Sequence, residues 1–151
     1  MTNEKPLSIY AAMDLALTQA AIANQQGEVP IGCVILDKNG TPIAQCHNRN
    51  RQCHDPTAHC EMLAIQHACR TRQSRYLYQC SMFVTLAPCP MCFTAICFAR
   101  LQRLYFGAYD TRHPERANAY LSYPNNRLEI YGGIEERRCQ TMLDMFFAQK
   151  R

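Results

Sequence analysis

Two short segments carry the residues best suited to chemistry: His59-Cys60-Glu61 and, further along, Pro88-Cys89-Pro90-Met91-Cys92. Between them they offer one imidazole, a pair of closely spaced thiols and one carboxylate. A structural zinc is closed by four protein ligands, whereas a catalytic zinc takes three and keeps water in the fourth position. His59, Cys89 and Cys92 therefore read as the ligands of one Zn2+ per chain, with Glu61 left over beside the water. Two thiolates cancel the charge of the ion, so it acidifies its water less than a three-histidine site would, and a nearby base is needed. Glu61 fits that need, first as general base and then as general acid.

The spacing of each half makes demands on the elements that hold it. Cys89 and Cys92 are three apart, so on a first helical turn both thiols fall on one face. Pro90 suits the first helical position, where a missing N–H costs nothing. That puts Cys89 at the cap and both sulfurs beside a positive helix end, which favours thiolates. His59 and Glu61 are only two apart and do not share a face of a regular helix. His59 is therefore expected at a helix start, with Asp55-Pro56-Thr57 just upstream as capping signals. Isolated buried thiols and a hydrogen-bonded core histidine are the bland alternative, and the joint spacing with Glu61 argues against it.

Hydrophobic periodicity supplies the scaffold. Residues 8–25 read as a helix from Ile9, Ala12, Met13, Leu15, Ala16 and Ile22, ended by Gly27. Residues 31–36 and 42–46 read as strands around Asp37-Lys38-Asn39-Gly40, whose Asn-Gly is a strong hairpin signal. The zinc residues are expected on helices near 57–71 and 89–100, separated by a strand near 81–86. Further strands at 103–108 and 127–131 and a final helix at 135–149 complete the order αββαβαββα. That order makes one α/β domain spanning residues 1–151, a sheet flanked by helices, with the site at the helix starts where strand C-termini open a crevice.

The pattern H-x-E…P-C-x-x-C is the signature of zinc nucleobase deaminases. The likeness extends through Glu28-Val29-Pro30-Ile31-Gly32, His47-Asn48-Arg49, His54-Asp55-Pro56-Thr57-Ala58-His59, Val84-Thr85-Leu86, Phe106-Gly107-Ala108 and Phe146-Phe147. From about residue 8 onward the chain resembles the bacterial tRNA adenosine deaminases, within the cytidine deaminase-like superfamily. The resemblance implies a three-layer α/β/α fold with a five-stranded mixed sheet. It also implies a homodimer and deamination of adenosine to inosine at the wobble position of a tRNA anticodon loop. By the same resemblance Asn48 would contact the flipped nucleoside, the Ala58 backbone N–H would meet the base, and Asp110 would touch a flanking nucleotide. Four places depart from the family pattern. Ala87 replaces a glutamate before Pro-Cys, Phe93 and Thr94 replace small residues after the second cysteine, and a shorter, charged segment at 111–126 replaces a Gly-Ala-rich one.

Composition bounds these readings. A chain of 151 residues supports a core without covalent staples. Its ten cysteines are even in number, yet the first residues lack a basic, then apolar leader, so a reducing cytoplasmic setting is expected. Cys33, Cys46, Cys60, Cys69, Cys80, Cys97 and Cys139 read as small core fillers, and Cys53-His54 as structural or loop-lining. No apolar run approaches the ~20 residues that span a bilayer. The net charge of +4 permits RNA binding without requiring it. Arg49, Arg51, Arg70, Arg72 and Arg75 flank the first zinc half, and Arg137, Arg138, Lys150 and Arg151 lie near the C-terminus; a solvated surface and a phosphate-tracking role weigh about equally for both groups. A deaminase of a free nucleobase or nucleoside is the competing enzyme reading. The third reading, a non-catalytic zinc and RNA-binding module, leaves Glu61 without a purpose.

Overall fold

In a computed structural model of the chain, which describes residues 5–116 and 127–150, every expected element forms, and local chemistry sets where each one ends. Helix α1 spans Ile9–Gln25, with the Ser8 hydroxyl accepting from the Ala11 N–H at 3.0 Å. Gly27 then turns the chain away at φ 74°, a conformation that only glycine adopts freely. Strands β1 (Gly32–Leu36) and β2 (Pro42–His47) make the antiparallel hairpin. Asp37 organises its turn by accepting from the N–H groups of Asn39 and Thr41.

One element was not expected, a single-turn helix α2 at Asn50–Cys53. Four residues are too few to produce a periodic signal. Next come α3 (Cys60–Arg72), β3 (Ser81–Leu86), α4 (Pro90–Phe98), β4 (Arg103–Ala108), β5 (Glu129–Tyr131) and α5 (Glu136–Gln149). The start of α3 is corrected from 57 to Cys60. Asp55 closes a separate turn by accepting from the Thr57 N–H at 2.8 Å and its hydroxyl at 2.7 Å, and His59 is still extended at φ −71°, ψ 148°. Helix α4 stops at Phe98, not at 100, because Arg100 turns left-handed at φ 61°. Strand β5 begins at Glu129, where the Arg103–Glu129 ion pair of 2.8 Å locks its register, and not at 127.

The five strands form one mixed sheet in the order β2-β1-β3-β4-β5. Pairs β2/β1 and β1/β3 are antiparallel, and β3/β4 and β4/β5 parallel. Side-chain alternation sends Cys33, Ile35, Met82, Val84, Leu104 and Phe106 to one face, where Ala64 and Ala68 of α3 and Phe93 and Ile96 of α4 cover them. Val34 and Phe83 point the other way, onto Met13, Ala16 and Leu17 of α1 and Cys139 and Leu143 of α5. Three layers result, as expected. Two glycines permit the close approach: a methyl at Gly32 would strike the Ala16 carbonyl, and one at Gly107 the Cys139 sulfur. Among the described residues no helix is long and apolar enough to cross a membrane.

Register decides which segments meet. Leu86 pairs with Ala108 across the parallel strands, so the chain leaves β3 and β4 at the same level. Antiparallel β1 sets Cys33 opposite Val84, and β2 sets His47 opposite Gly32. The loops carrying residues 28–31, 48–59, 87–89 and 109–112 therefore gather at one end of the sheet.

Candidate active site

At that end the N-termini of α3 and α4 converge. His59 is the cap residue of α3 and Cys89 that of α4, with Pro90 in the first turn, and neither side chain caps its own helix. Their ligand atoms thus remain available. The Nδ1 of His59 lies 3.6 Å from Cys89 Sγ and 3.4 Å from Cys92 Sγ, and all three ligand atoms fall within 4.8 Å of one another. A tetrahedral zinc with ordinary Zn–S and Zn–N bonds sets N···S edges of about 3.6 Å. The triad fits that ion as it stands.

Charge follows the same geometry. The Cys92 thiol hydrogen bond pulls Cys89 down to about 4; burial opposes this shift and the His59 hydrogen bond adds to it. The same hydrogen bond between the two sulfurs, together with burial, pushes Cys92 upward. His59 is raised, chiefly by its bond to Cys89. One thiolate is thus strongly favoured, and a cation bound to the triad displaces the remaining thiol proton.

Glu61 is buried at 5% exposure. Burial is the main cause of its raised pKa, with its own backbone N–H pulling the other way. Its charge raises Cys92, and His59 and Cys89 act on it in turn, so the one spare carboxylate lies close to the triad. The Cys60 thiol, fully buried, donates to Glu61 Oε2 at 3.4 Å. Cys60 fills core space, as expected, and also steadies the carboxylate.

The residues assigned to substrate by resemblance are also gathered here, each with a partner inside the protein. Asn48 is 5% exposed, and its Oδ1 accepts from the Cys60 N–H at 2.8 Å, between His59 and Glu61. That bond satisfies one of the unpaired donors of the α3 start. It also fixes the amide orientation, because only the oxygen can accept. The Ala58 N–H donates to the Asp55 carbonyl at 3.2 Å, and its carbonyl accepts from the Arg49 N–H at 3.0 Å. Asp110 holds the following segment: Oδ1 accepts from the Arg112 N–H at 3.2 Å and Oδ2 pairs with Arg116 at 3.5 Å. Arg112 then stacks on Phe147 at 3.8 Å, joining this segment to α5. The rest of the altered segment, 117–126, lies outside the described residues.

The other departures have structural places. Phe93 is 1% exposed and fills the core under α4, so its bulk goes into packing. The Thr94 hydroxyl donates to the Pro90 carbonyl at 2.8 Å. Ala87 keeps the cysteine loop tied through its backbone, donating to the Ala108 carbonyl at 2.9 Å. Glu28, the first residue of the Glu28-Val29-Pro30 motif, is a buried organiser. It is 2% exposed and accepts from the Arg51 N–H at 3.2 Å and the Gln52 N–H at 2.8 Å, capping α2. Thr85 is similar, its hydroxyl accepting from the Gly32 N–H at 3.1 Å. A lone glutamate or threonine carries no spacing signal, so neither role was legible in advance.

Comparison with known proteins agrees with this geometry. Residues 8–108 match the cytidine and deoxycytidylate deaminase zinc-binding region. A tRNA-specific adenosine deaminase from Aquifex aeolicus is 44% identical over 144 residues, covering 92% of this chain and 93% of that protein. A solved structure of a tRNA:A34 deaminase, which edits A to I at the wobble position, superposes with a TM-score of 0.81 at 38% identity, over 87% of this chain and 98% of that one. Guanine deaminase from Nitrosomonas europaea shares the fold, with a TM-score of 0.78 at 20% identity over 97% of this chain and 89% of that one.

Proposed function

Because this chain belongs to the tRNA-specific adenosine deaminase family of zinc-dependent hydrolases, we propose that it converts adenosine to inosine at the wobble position of a tRNA anticodon loop. The observation that carries this reading is the His59, Cys89 and Cys92 triad with the Glu61 carboxyl close to it. His59, Cys89 and Cys92 would hold a zinc ion, which when bound would supply an activated water for attack on C6 of the purine. Glu61 takes a proton from that water and delivers it to the ring nitrogen, then moves a second proton to the departing amine. Water is consumed and ammonia leaves, which balances the exchange of an amino group for an oxo group. Asn48 offers the base an amide NH2 group, since its oxygen is already bound to Cys60. Asp110 contacts a flanking nucleotide from the loop that Arg112 and Arg116 brace.

The working unit in this reading is a homodimer. Phe98 is 65% exposed beside a hollow of about 500 Å³ lined by Ile65, Tyr76, Ala95 and Ala99, with Arg75 and Arg100 also in its lining, on the outer side of α3 and α4. A second copy supplies matching apolar surface for that face. Placement in the cytosol completes the reading, consistent with a tRNA substrate and with all ten cysteines as free thiols.

Mass detection of inosine after incubation with tRNA bearing adenosine at the wobble position tests the reaction. Inosine at that one position is the expected result. Faster, salt-insensitive deamination of a free base than of any tRNA would replace this reading with a small-molecule one. Sedimentation of Phe98→Asp tests the dimer, with monomers expected.

A further inference from the structure

The five arginines around the first zinc half look alike in the sequence, but the fold divides them. Arg51 donates to the Gly27 carbonyl at 3.1 Å, Arg72 to the Cys80 sulfur at 3.5 Å, and Arg75 lies over the Tyr76 ring at 4.7 Å. These three are committed to the protein. Arg70 is exposed, and its guanidinium has no partner among the described residues. Arg49, also exposed, uses only Nε, which donates to Gln52 at 3.2 Å. The two cations stand far apart in sequence. Packing of α3 against the edge strand β2 brings them to one hollow of about 280 Å³, lined also by Cys46, His47, Gln66 and His67. Among the described residues no carboxylate lines this hollow.

We infer that this hollow is a phosphate subsite for the tRNA backbone, with Arg70 and Arg49 as its cations; the inference rests on the tRNA reading above. Distance selects the ligand. Arg49 adjoins Asn48 at the mouth of the site, and its N–H bonds to Ala58 next to His59. Arg70 lies about 16 Å from His59 along α3, at 1.5 Å per residue. That span equals roughly five stacked nucleotides at ~3.4 Å of axis each. A free base or nucleoside in the metal site does not reach Arg70, whereas a strand passing through it does. The hollow is concave and lined by the unpartnered Arg70 guanidinium and by Arg49, whose terminal nitrogens stay available while Nε donates to Gln52, a geometry that suits bidentate phosphate contact. Guanidinium charge attracts phosphate, and salt screens that attraction.

The test uses full-length zinc-loaded protein and intact tRNA, with turnover measured across a range of salt concentrations. Arg70→Ala should raise KM for tRNA about fivefold, the effect of one exposed ionic contact, while kcat and zinc content stay at wild-type values. The slope of log affinity against log salt should fall by about 0.7, the counterion release of one single-strand phosphate contact. Arg70→Lys should restore most of that slope, and the double variant with Arg49→Ala should lower it further. Wild-type KM and slope in Arg70→Ala would overturn the subsite while leaving the tRNA reading intact. A lower kcat with lost zinc would overturn it in favour of a structural role for Arg70. A wild-type protein that forms no inosine in any tRNA would overturn the tRNA reading itself.

Discussion

The metal triad and the surrounding rim share one end of the sheet, yet they are held in place differently. His59, Cys89 and Cys92 occupy the starts of two helices, and residues beside them in sequence fix those starts. Asn48, Arg49 and Asp110 instead depend on contacts across the fold: a bond to Cys60, an α2 turn capped by Glu28, and a segment pinned to Phe147. Burial does not separate the two groups, since Cys92 and Asn48 are buried, His59, Cys89 and Asp110 half-buried, and Arg49 exposed. In such a protein the chemistry resists sequence change, because few local features specify it. Recognition drifts more easily, and residues 111–116, the described part of the altered segment, fall in the rim.

Breaking the triad should produce the largest effect. Cys89→Ala should reduce bound zinc from one ion per chain to none, by metal analysis, with turnover lost. Retained metal would mean that the remaining ligands suffice and the comparison overstates local design. Glu61→Gln keeps shape and zinc but cannot carry a proton, so turnover should fall at least ~10². A near-normal rate would move the proton transfer to another group.

The rim variants should be milder and separable. Asn48→Ala leaves the Cys60 N–H unpaired, which should cost about 1–3 kcal/mol of stability and lower turnover without removing zinc. Asn48→Asp keeps the acceptor for Cys60 and loses the NH2 donor. Recovery of the melting temperature without recovery of turnover would separate helix capping from base recognition; recovery of both would confine Asn48 to capping.

The smallest effect concerns the rim's pH response. Burial, and then the charge of Arg49, hold His47 below the ordinary histidine value of 6.5. The folded state thus favours the neutral ring, whose single N–H donates to one of the two side-chain oxygens beside it, of Gln19 or Gln26. Its contribution to stability is full above 6.5 and is lost as pH falls through the lower folded value. His47→Gln should accordingly lose less melting temperature than wild type between about pH 7 and pH 5. Parallel curves would remove His47 from the acid response.

Legibility followed the same division. The Cys89–Pro90–Cys92 helix start needed only neighbouring residues, and the structure reproduces it, including the cap. The start of α3 was misplaced because Asp55 and Thr57 carry capping chemistry, yet they spend it on their own turn. Helix α2 was missed because its donors bond to Glu28, more than twenty residues away, and no local pattern records that contact.

By itself the sequence determined the candidate ligand set, the spare carboxylate beside it, the order of elements and the polarity of each helix start. These depend on residue type and on spacings of a few residues, which backbone geometry converts directly into position. Tertiary structure decided which arginines remain free, what Asn48 holds, that Cys60 touches Glu61, and that Glu28 organises the loop above the site. Those outcomes depend on strand register and on helices packing across the sheet, so the partners that define each role come from distant parts of the chain.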